Sequence, residues 1–242
     1  MKPHLLSIVI PAFNEAVYLP RLLDSIDVAR RRLVDELDTV EVIVANNGST
    51  DDTAAIARAR GCRVVDVEKR AIAAARNGGA AVAIGETLCF VDADLRIHPD
   101  TLAVISERMK SGLIAGGASG WALDRRSAGL TATVATVRAL TWLAGVNAGV
   151  VFCLADVFRE VGGYNENRRF AEDVQFFRDM RRAGKRRGLK TLLNVRTPAV
   201  VSTRKFDRHG DWHMFAMGLW ILRNRSLDKT VENYWYDKDR RF

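Results

Sequence analysis

Two aspartates, Asp92 and Asp94, close the apolar run Thr87-Leu88-Cys89-Phe90-Val91. That run reads as a buried strand, so both carboxylates fall where a strand gives way to a loop. A carboxylate in such a place must be solvated, paired or bound to a metal. Hard oxygen donors at this spacing suit a divalent cation, which can in turn hold a diphosphate. A second acidic pair, Glu172-Asp173, opens a segment of helical spacing. The helix dipole favours acidic residues there, so capping competes with chemistry as their role. Asn14-Glu15 has the composition of a helix cap, and Asn46-Asn47-Gly48 that of a tight turn.

The elements that must position these residues follow from hydrophobic periodicity. Leu5 to Ile10 is a β-branched run ended by Pro11 and predicts a strand. Val17 to Leu37 has near-helical spacing, and Val40 to Val44 predicts a second strand. The turn at Asn46 to Asp52 becomes a helix N-terminus, and that helix stops at Gly61. Arg63 to Val67 is a third strand, Ala71 to Ile84 a helix of small residues, and Thr87 to Val91 a fourth strand. Pro99 suits the first turn of a helix running to about Lys110. This alternation predicts an α/β fold, with a mostly parallel central sheet and helices on both faces. Ligands of such sheets bind at the carboxyl ends of the strands. Pro11 to Glu15, Asn46-Asn47 and Asp92-Ala93-Asp94 all lie at those ends, so three polar clusters converge on one edge.

The second half is less regular. Gly149 to Leu154 predicts a strand, Asp156 to Val161 a short helix, and Glu172 to Ala183 a helix with Phe176, Phe177 and Met180 on its apolar side. Leu189 to Val195 and Ala199 to Val201 predict two further strands, and Trp212 to Leu222 a helix. The longest uncharged stretch, Ala139 to Ala155, is marginal for a bilayer span and reads as a core helix followed by a core strand.

The 242 residues, 48% apolar and 27% charged, have an ordinary globular composition. They fit a single domain, with a regular Rossmann-like half over about residues 1–110 and a less regular half with a C-terminal helical tail over about 111–242. Cys62, Cys89 and Cys153 lie in or beside apolar segments without metal-type spacing, which points to reduced, buried thiols. A strand pattern occupies the first ten residues, so no signal peptide is visible and a cytoplasmic setting is expected. The formal charge of +8, with clusters at Arg181-Arg182 and Lys185-Arg186-Arg187, suits a phosphate-rich ligand or an anionic membrane surface. No nucleic-acid motif accompanies it, so nucleic acid is not an expected partner.

Taken in order, Ile8-Val9-Ile10-Pro11-Ala12-Phe13-Asn14-Glu15, Asn47-Gly48-Ser49-Thr50-Asp51, Ala75-Arg76-Asn77-Gly78-Gly79, Val91-Asp92-Ala93-Asp94, Gly162-Gly163-Tyr164 and Glu172-Asp173 resemble the family 2 glycosyltransferases of GT-A fold. The resemblance covers about residues 5–185. It implies metal-assisted transfer of a sugar from a nucleotide-diphosphate donor, with inversion at the anomeric carbon. Asp94 would bind Mg²⁺ or Mn²⁺, and Asp92 would meet the ribose or the metal, with Ala93 between them in the donor site. Pro11, Ala12, Asn14 and Glu15 would line the base and ribose. Asn47 departs from the more usual aspartate, but its amide oxygen can still accept from a base N–H. A UDP-sugar is the favoured donor and a GDP-sugar its competitor. Arg76 would contact base or phosphates, or else be an exposed helix arginine. Arg204 and Lys205 belong to a late basic segment that would close over the diphosphate, with His209 as a third metal ligand. Asp173 would be the general base, with Glu172 orienting it.

Rival readings share parts of this chemistry. A polyprenyl-phosphate sugar transferase uses the same donor with a lipid-linked acceptor, and the basic second half keeps it open. The segment Trp212 to Leu222, followed by Arg223 and Arg225, fits peripheral attachment to a membrane, or packing on the core or a subunit partner. A nucleotidyltransferase would usually carry a Gly-rich loop and a basic residue after the first strand, and Pro11 to Glu15 has neither. A non-catalytic binding module has no need of both Asp94 and Asp173.

Overall fold

The computed structural model describes residues 5–33, 40–147, 149–168, 171–213 and 215. Strands β1 (Leu6–Ala12), β2 (Val40–Asn46), β3 (Arg63–Asp66) and β4 (Thr87–Phe90) alternate with helices α1 (Leu19–Arg30), α2 (Thr53–Ala59) and α3 (Ile72–Ala81). There follow β5 (Leu95–Arg96), α4 (Thr101–Lys110), β6 (Ile114–Leu123), α5 (Ala128–Ala144), β7 (Val151–Leu154) and α6 (Ala155–Glu160). The described elements end with α7 (Glu172–Arg186), β8 (Lys190–Val201) and α8 (Arg204–His209).

One sheet of eight strands carries them in the order β3-β2-β1-β4-β7-β6-β8-β5. Pairs β1–β2, β1–β4, β2–β3 and β6–β8 are parallel. Pairs β4–β7, β6–β7 and β5–β8 are antiparallel, so β7 and β5 run against the rest. The mostly parallel sheet expected from the sequence is present.

Side-chain alternation on β1 divides the core in two. Ile8 and Ile10 face Leu19, Leu22 and Ile26 of α1 with Leu102 and Ile105 of α4. Val9 faces the opposite way, toward Ala73 of α3, Val157 and Phe158 of α6, and Phe176, Phe177 and Met180 of α7. Successive strand residues point to opposite faces, so a strand covered by helices on both sides is largely apolar, and its one polar side chain here, Ser7, is hydrogen-bonded to Glu41 and Gly85. All seven residues of β1 are buried accordingly.

Several expectations are corrected. The first helix begins at Leu19 and ends at Arg30, shorter than Val17 to Leu37; residues 34–39 lie outside the described residues. Strand β6 was not legible, because its sequence IAGGASGWAL has no hydrophobic alternation. Its small residues answer a spacing constraint. A Cβ on Gly116 would strike the Phe152 carbonyl, and one on Gly117 would stand 2.5 Å from the Leu192 carbonyl. The two late strands are one strand, β8, which passes through Pro198 and accommodates it by register shifts against β6. The uncharged stretch from Ala139 is no core helix: Leu140, Trp142 and Leu143 are all more than 60% exposed. The Trp212 to Leu222 helix, like the C-terminal tail, lies mostly outside the described residues. No helix among the described residues is long and apolar enough to cross a membrane.

Helix α3 approaches the sheet closely because of its two glycines. A Cβ on Gly79 would run into Val9 Cγ1 and stand 3.4 Å from Ala45 Cβ, while one on Gly78 would meet Val67 Cγ2. Alanine normally outranks glycine in a helix by ~1 kcal/mol. Here overpacking opposes that gain and costs about 1–3 kcal/mol. Gly79→Ala is therefore expected to lower the urea midpoint, and an unchanged or raised midpoint would show that α3 can retreat freely.

Candidate active site

The carboxyl ends of β1, β2 and β4 bring the three polar clusters together. The loop after β1 is stapled to the turn after β2. Asn14 N–H donates to Ser49 Oγ at 3.1 Å, Glu15 N–H to Thr53 Oγ1 at 2.8 Å, and Ala16 N–H to Asp51 Oδ2 at 3.1 Å. In return Thr50 N–H donates to Asn14 Oδ1 at 2.8 Å. Asn14 has φ 52°, a left-handed conformation that asparagine tolerates better than most residues. This turns the chain sharply and leaves Glu15 buried at the edge.

Asn47 is buried in the same place. Its side-chain NH₂ donates to the carbonyls of Val67 at 3.0 Å and Lys69 at 2.7 Å. Both amide hydrogens are thereby committed, and Oδ1 keeps its acceptor capacity. A primary amide can donate or accept, and the fold leaves only the acceptor open here.

Arg76 is not an exposed helix arginine. It is buried, and its guanidinium donates to Asp92 Oδ1 at 2.9 Å and Glu172 Oε1 at 3.0 Å. Its Cζ lies 5.0 Å from the centroid of the Tyr164 ring. Burial alone would lower the arginine pKa, but the charges of Asp92, Glu172 and Asp173 overcome this and raise it. Glu172 is held above the ordinary carboxylate range, mainly by burial and also by Asp173, against the opposing pull of Arg76. The neighbouring Asn77 grips the second half of the chain as well. Its Oδ1 accepts from Tyr164 N–H at 2.9 Å, and its NH₂ donates to Tyr164 O at 2.8 Å and Glu166 Oε1 at 2.9 Å. Asn77 and Tyr164 were present in the motifs but carried no role; their contacts span 87 positions and leave no local signal.

Helix α7 starts from Ala171, which also has a left-handed φ of 55°. Glu172 and Asp173 occupy its first turn, where the helix dipole favours negative charge. Through Arg76, the start of α7 is fixed beside the end of β4.

Asp94 meets a second arginine. Arg204 donates to both carboxylate oxygens of Glu15 at 2.8 and 2.7 Å, and stands 3.1 Å from Asp94 Oδ2. Its Cζ lies 4.5 Å over the Tyr18 ring. Arg204, Glu15 and Asp94 thus meet on this edge, engaged with one another. Lys205 follows in α8, and its side chain lies outside the described residues. His209 ends α8 exposed, with its ring stacked on His213 at 4.8 Å. Among the described residues no three His, Cys, Asp or Glu side chains gather as a metal-holding set.

The hard oxygens of Asp92 and Asp94 nevertheless fit a divalent cation. Their side chains are 44% and 18% exposed, and each has only one oxygen in a contact with an arginine. The cysteines offer no competing chemistry. Burial pushes the Cys89 thiol up to about 12 and the Cys62 thiol up to about 11, so neither is a ready nucleophile.

This sheet and the placement of the acidic motifs define a GT-A glycosyltransferase fold. A crystal structure of glucosyl-3-phosphoglycerate synthase from Mycobacterium tuberculosis, in complex with Mn²⁺, UDP and glucosyl-3-phosphoglycerate, superposes with a TM-score of 0.57 at 22% identity, covering 93% of this chain and 82% of that one. The mannosyltransferase PcManGT from Pyrobaculum calidifontis, in complex with GDP-Man and Mn²⁺, gives a TM-score of 0.62 at 18% identity, covering 96% and 68%. In sequence, the validoxylamine A glucosyltransferase of Streptomyces hygroscopicus is 36% identical over 102 residues, 39% of this chain and 23% of that protein. The chain thus spans about a quarter of that curated relative. Residues 7–124, just under half of the chain, match the family described as Glycosyl transferase family 2.

Removing Arg76 leaves two buried or half-buried carboxylates facing one another. Breaking such a pair costs roughly 3–5 kcal/mol. Arg76→Met is expected to lower the unfolding free energy, read from the denaturation midpoint and slope, by an amount in that range. Arg76→Lys should recover little of it, because one ammonium does not reproduce the two-armed contact. A wild-type midpoint in either variant would show that the pairings are not structural.

Proposed function

We propose that the chain is an inverting glycosyltransferase that moves a sugar from a nucleotide-diphosphate donor to a hydroxyl acceptor. The observation that supports this most is the joining of Asp92 to Glu172-Asp173 through Arg76, on the sheet edge that also bears Glu15, Asn47 and Asp94. Donor-side and acceptor-side carboxylates are thereby held in one place.

Asn47 Oδ1 accepts a hydrogen bond from a base N–H, and uracil N3–H suits it; a UDP-sugar is the favoured donor and a GDP-sugar the competitor. Pro11, Ala12 and Asn14 line the base and ribose, and Glu15 accepts from the ribose hydroxyls. Asp94, with Asp92, would hold Mn²⁺ or Mg²⁺, and His209 of α8 would be a third ligand. When bound, the metal neutralises diphosphate charge and so improves the leaving group. Asp173 removes the proton from the acceptor hydroxyl as its oxygen attacks the anomeric carbon opposite the diphosphate, and configuration inverts. Glu172, pinned by Arg76, keeps Asp173 aimed.

A second reading, transfer to a lipid phosphate at a membrane surface, draws support from α5. Leu140, Trp142 and Leu143 are exposed in its last turns, and at the helix end the Arg181 guanidinium is 2.8 Å from a Cβ placed on Gly145. An apolar face with adjoining positive charge suits an anionic bilayer.

Asp173→Asn is expected to reduce turnover by at least about 100-fold, the usual scale of general-base catalysis. Donor affinity should remain within a few-fold, read by thermal shift with UDP-, GDP- and dTDP-sugars and Mn²⁺. Full activity in this variant would refute the base assignment. Soluble hydroxyl acceptors assayed against polyprenyl phosphate in vesicles separate the two readings.

A further inference from the structure

Two arginines attend the two aspartates of the candidate metal site, and they differ in how they are held. Arg76 is buried in α3 between Asp92, Glu172 and the Tyr164 ring, on a helix seated against β1. It cannot leave without unpacking the core. Arg204 is the first residue of the six-residue α8, and its guanidinium reaches back across the edge to Glu15 and Asp94.

The segment carrying Arg204 is anchored elsewhere, on the turn between β6 and α5. Thr203 N–H and Oγ1 donate to Asp124 Oδ1 at 3.1 and 2.7 Å. Arg125 donates to Asp207 at 2.9 and 2.6 Å and to Asp211 at 3.0 and 2.6 Å. The backbone of the segment therefore keeps its attachment when the Arg204 side chain lets go.

The two carboxylates that Arg204 engages are the ones assigned above to the ribose and the metal. A guanidinium 3.1 Å from Asp94 and a dication on the same carboxylate repel each other, and Arg204, bonded to both oxygens of a Glu15 that is only 5% exposed, stands where a ribose would have to approach. We propose that Arg204 is an internal cation that fills the donor site of the empty protein, and that metal and nucleotide sugar displace it together. Once displaced, it lies within reach of the diphosphate that replaced it, as a bidentate donor to phosphate oxygens. Glu15 and Asp94 are thus never left as unpaired charges at a half-buried edge. The same side chain opposes the metal alone and favours the metal with its nucleotide. This rests on the function proposed above and adds an order of events to it.

The test is Mn²⁺ binding, read from the free-ion EPR signal, with and without UDP, in the full chain. Removing a positive charge at this separation changes affinity by about tenfold or more where water screens only partly. Arg204→Gln is expected to bind Mn²⁺ alone about tenfold more tightly than the wild type, and to bind Mn²⁺ in the presence of UDP more weakly. Arg204→Lys, which keeps the charge, should stay near the wild type for Mn²⁺ alone. Arg125→Gln loosens the anchor and should move metal affinity in the same direction as Arg204→Gln by a smaller factor, which keeps the test open if the Arg204 variant fails to fold. Equal or weaker binding of Mn²⁺ alone in both the Arg204→Gln and Arg125→Gln forms overturns the proposal while leaving the metal site intact. Absence of Mn²⁺ binding in every form, with and without UDP, overturns the metal reading itself.

Discussion

Burial of the Arg76 guanidinium is the constraint on which the geometry of the site depends. An arginine removed from water must recover its hydration from fixed partners, and carboxylates do this best. Here the partners come from the end of β4 and the start of α7, segments 80 positions apart in the chain. Once α3 lies on the sheet, Asp92 and Glu172 must converge on it or leave a buried charge uncompensated. Gly78 and Gly79 set how deeply α3 lies, and so how far the arginine reaches. A helix–strand packing distance therefore decides where two acidic motifs meet. Arg76 Nε remains buried without a partner, so the network is close to saturated rather than complete.

The rest of the edge follows the same logic of paired charge. Glu15 is almost wholly buried because Arg204 covers it, and Tyr18 backs the guanidinium with its ring face. Tyr164 does the same for Arg76 and also stacks on Phe176 at 4.3 Å, tying the polar site to the aromatic core. Each arginine thus has carboxylates in its plane and an aromatic ring against its face, the two kinds of contact that a planar cation makes well. The electrostatics of the site is built in pairs, one arginine for each aspartate.

Much of the nucleotide half was legible in the sequence, because its signals are local. Leu6 to Ala12 is apolar except for Ser7, and a strand covered on both faces leaves that trace. The acidic pair after β4 and the turn after β2 are short motifs at predictable strand ends. Strand β6 was illegible for a tertiary reason: its glycines answer the nearness of Phe152 and Leu192, which no pattern within the strand records. The position of Arg76 on a helix was readable, but not its burial, since its partners lie 16 and 96 positions away. The C-terminal turns of α5 misled in the opposite sense. Apolar composition reports a surface that avoids water and does not say what, if anything, covers it, and Trp142 stands 77% exposed.

The commitment of both Asn47 amide hydrogens to Val67 and Lys69 changes what that residue is. A primary amide normally offers both hydrogen-bonding polarities and can turn over to suit its partner. This one cannot turn without abandoning two carbonyls. It behaves as a neutral stand-in for a carboxylate, with the same direction of bonding and no charge. A polyanionic nucleotide seated on this edge would meet one fewer negative group than an aspartate would present. The contact would also ignore protonation over the whole range in which proteins stay folded, and salt would screen it little. Ionic strength would then act on such a ligand through the arginines and carboxylates of the diphosphate end, while recognition of the base stays constant.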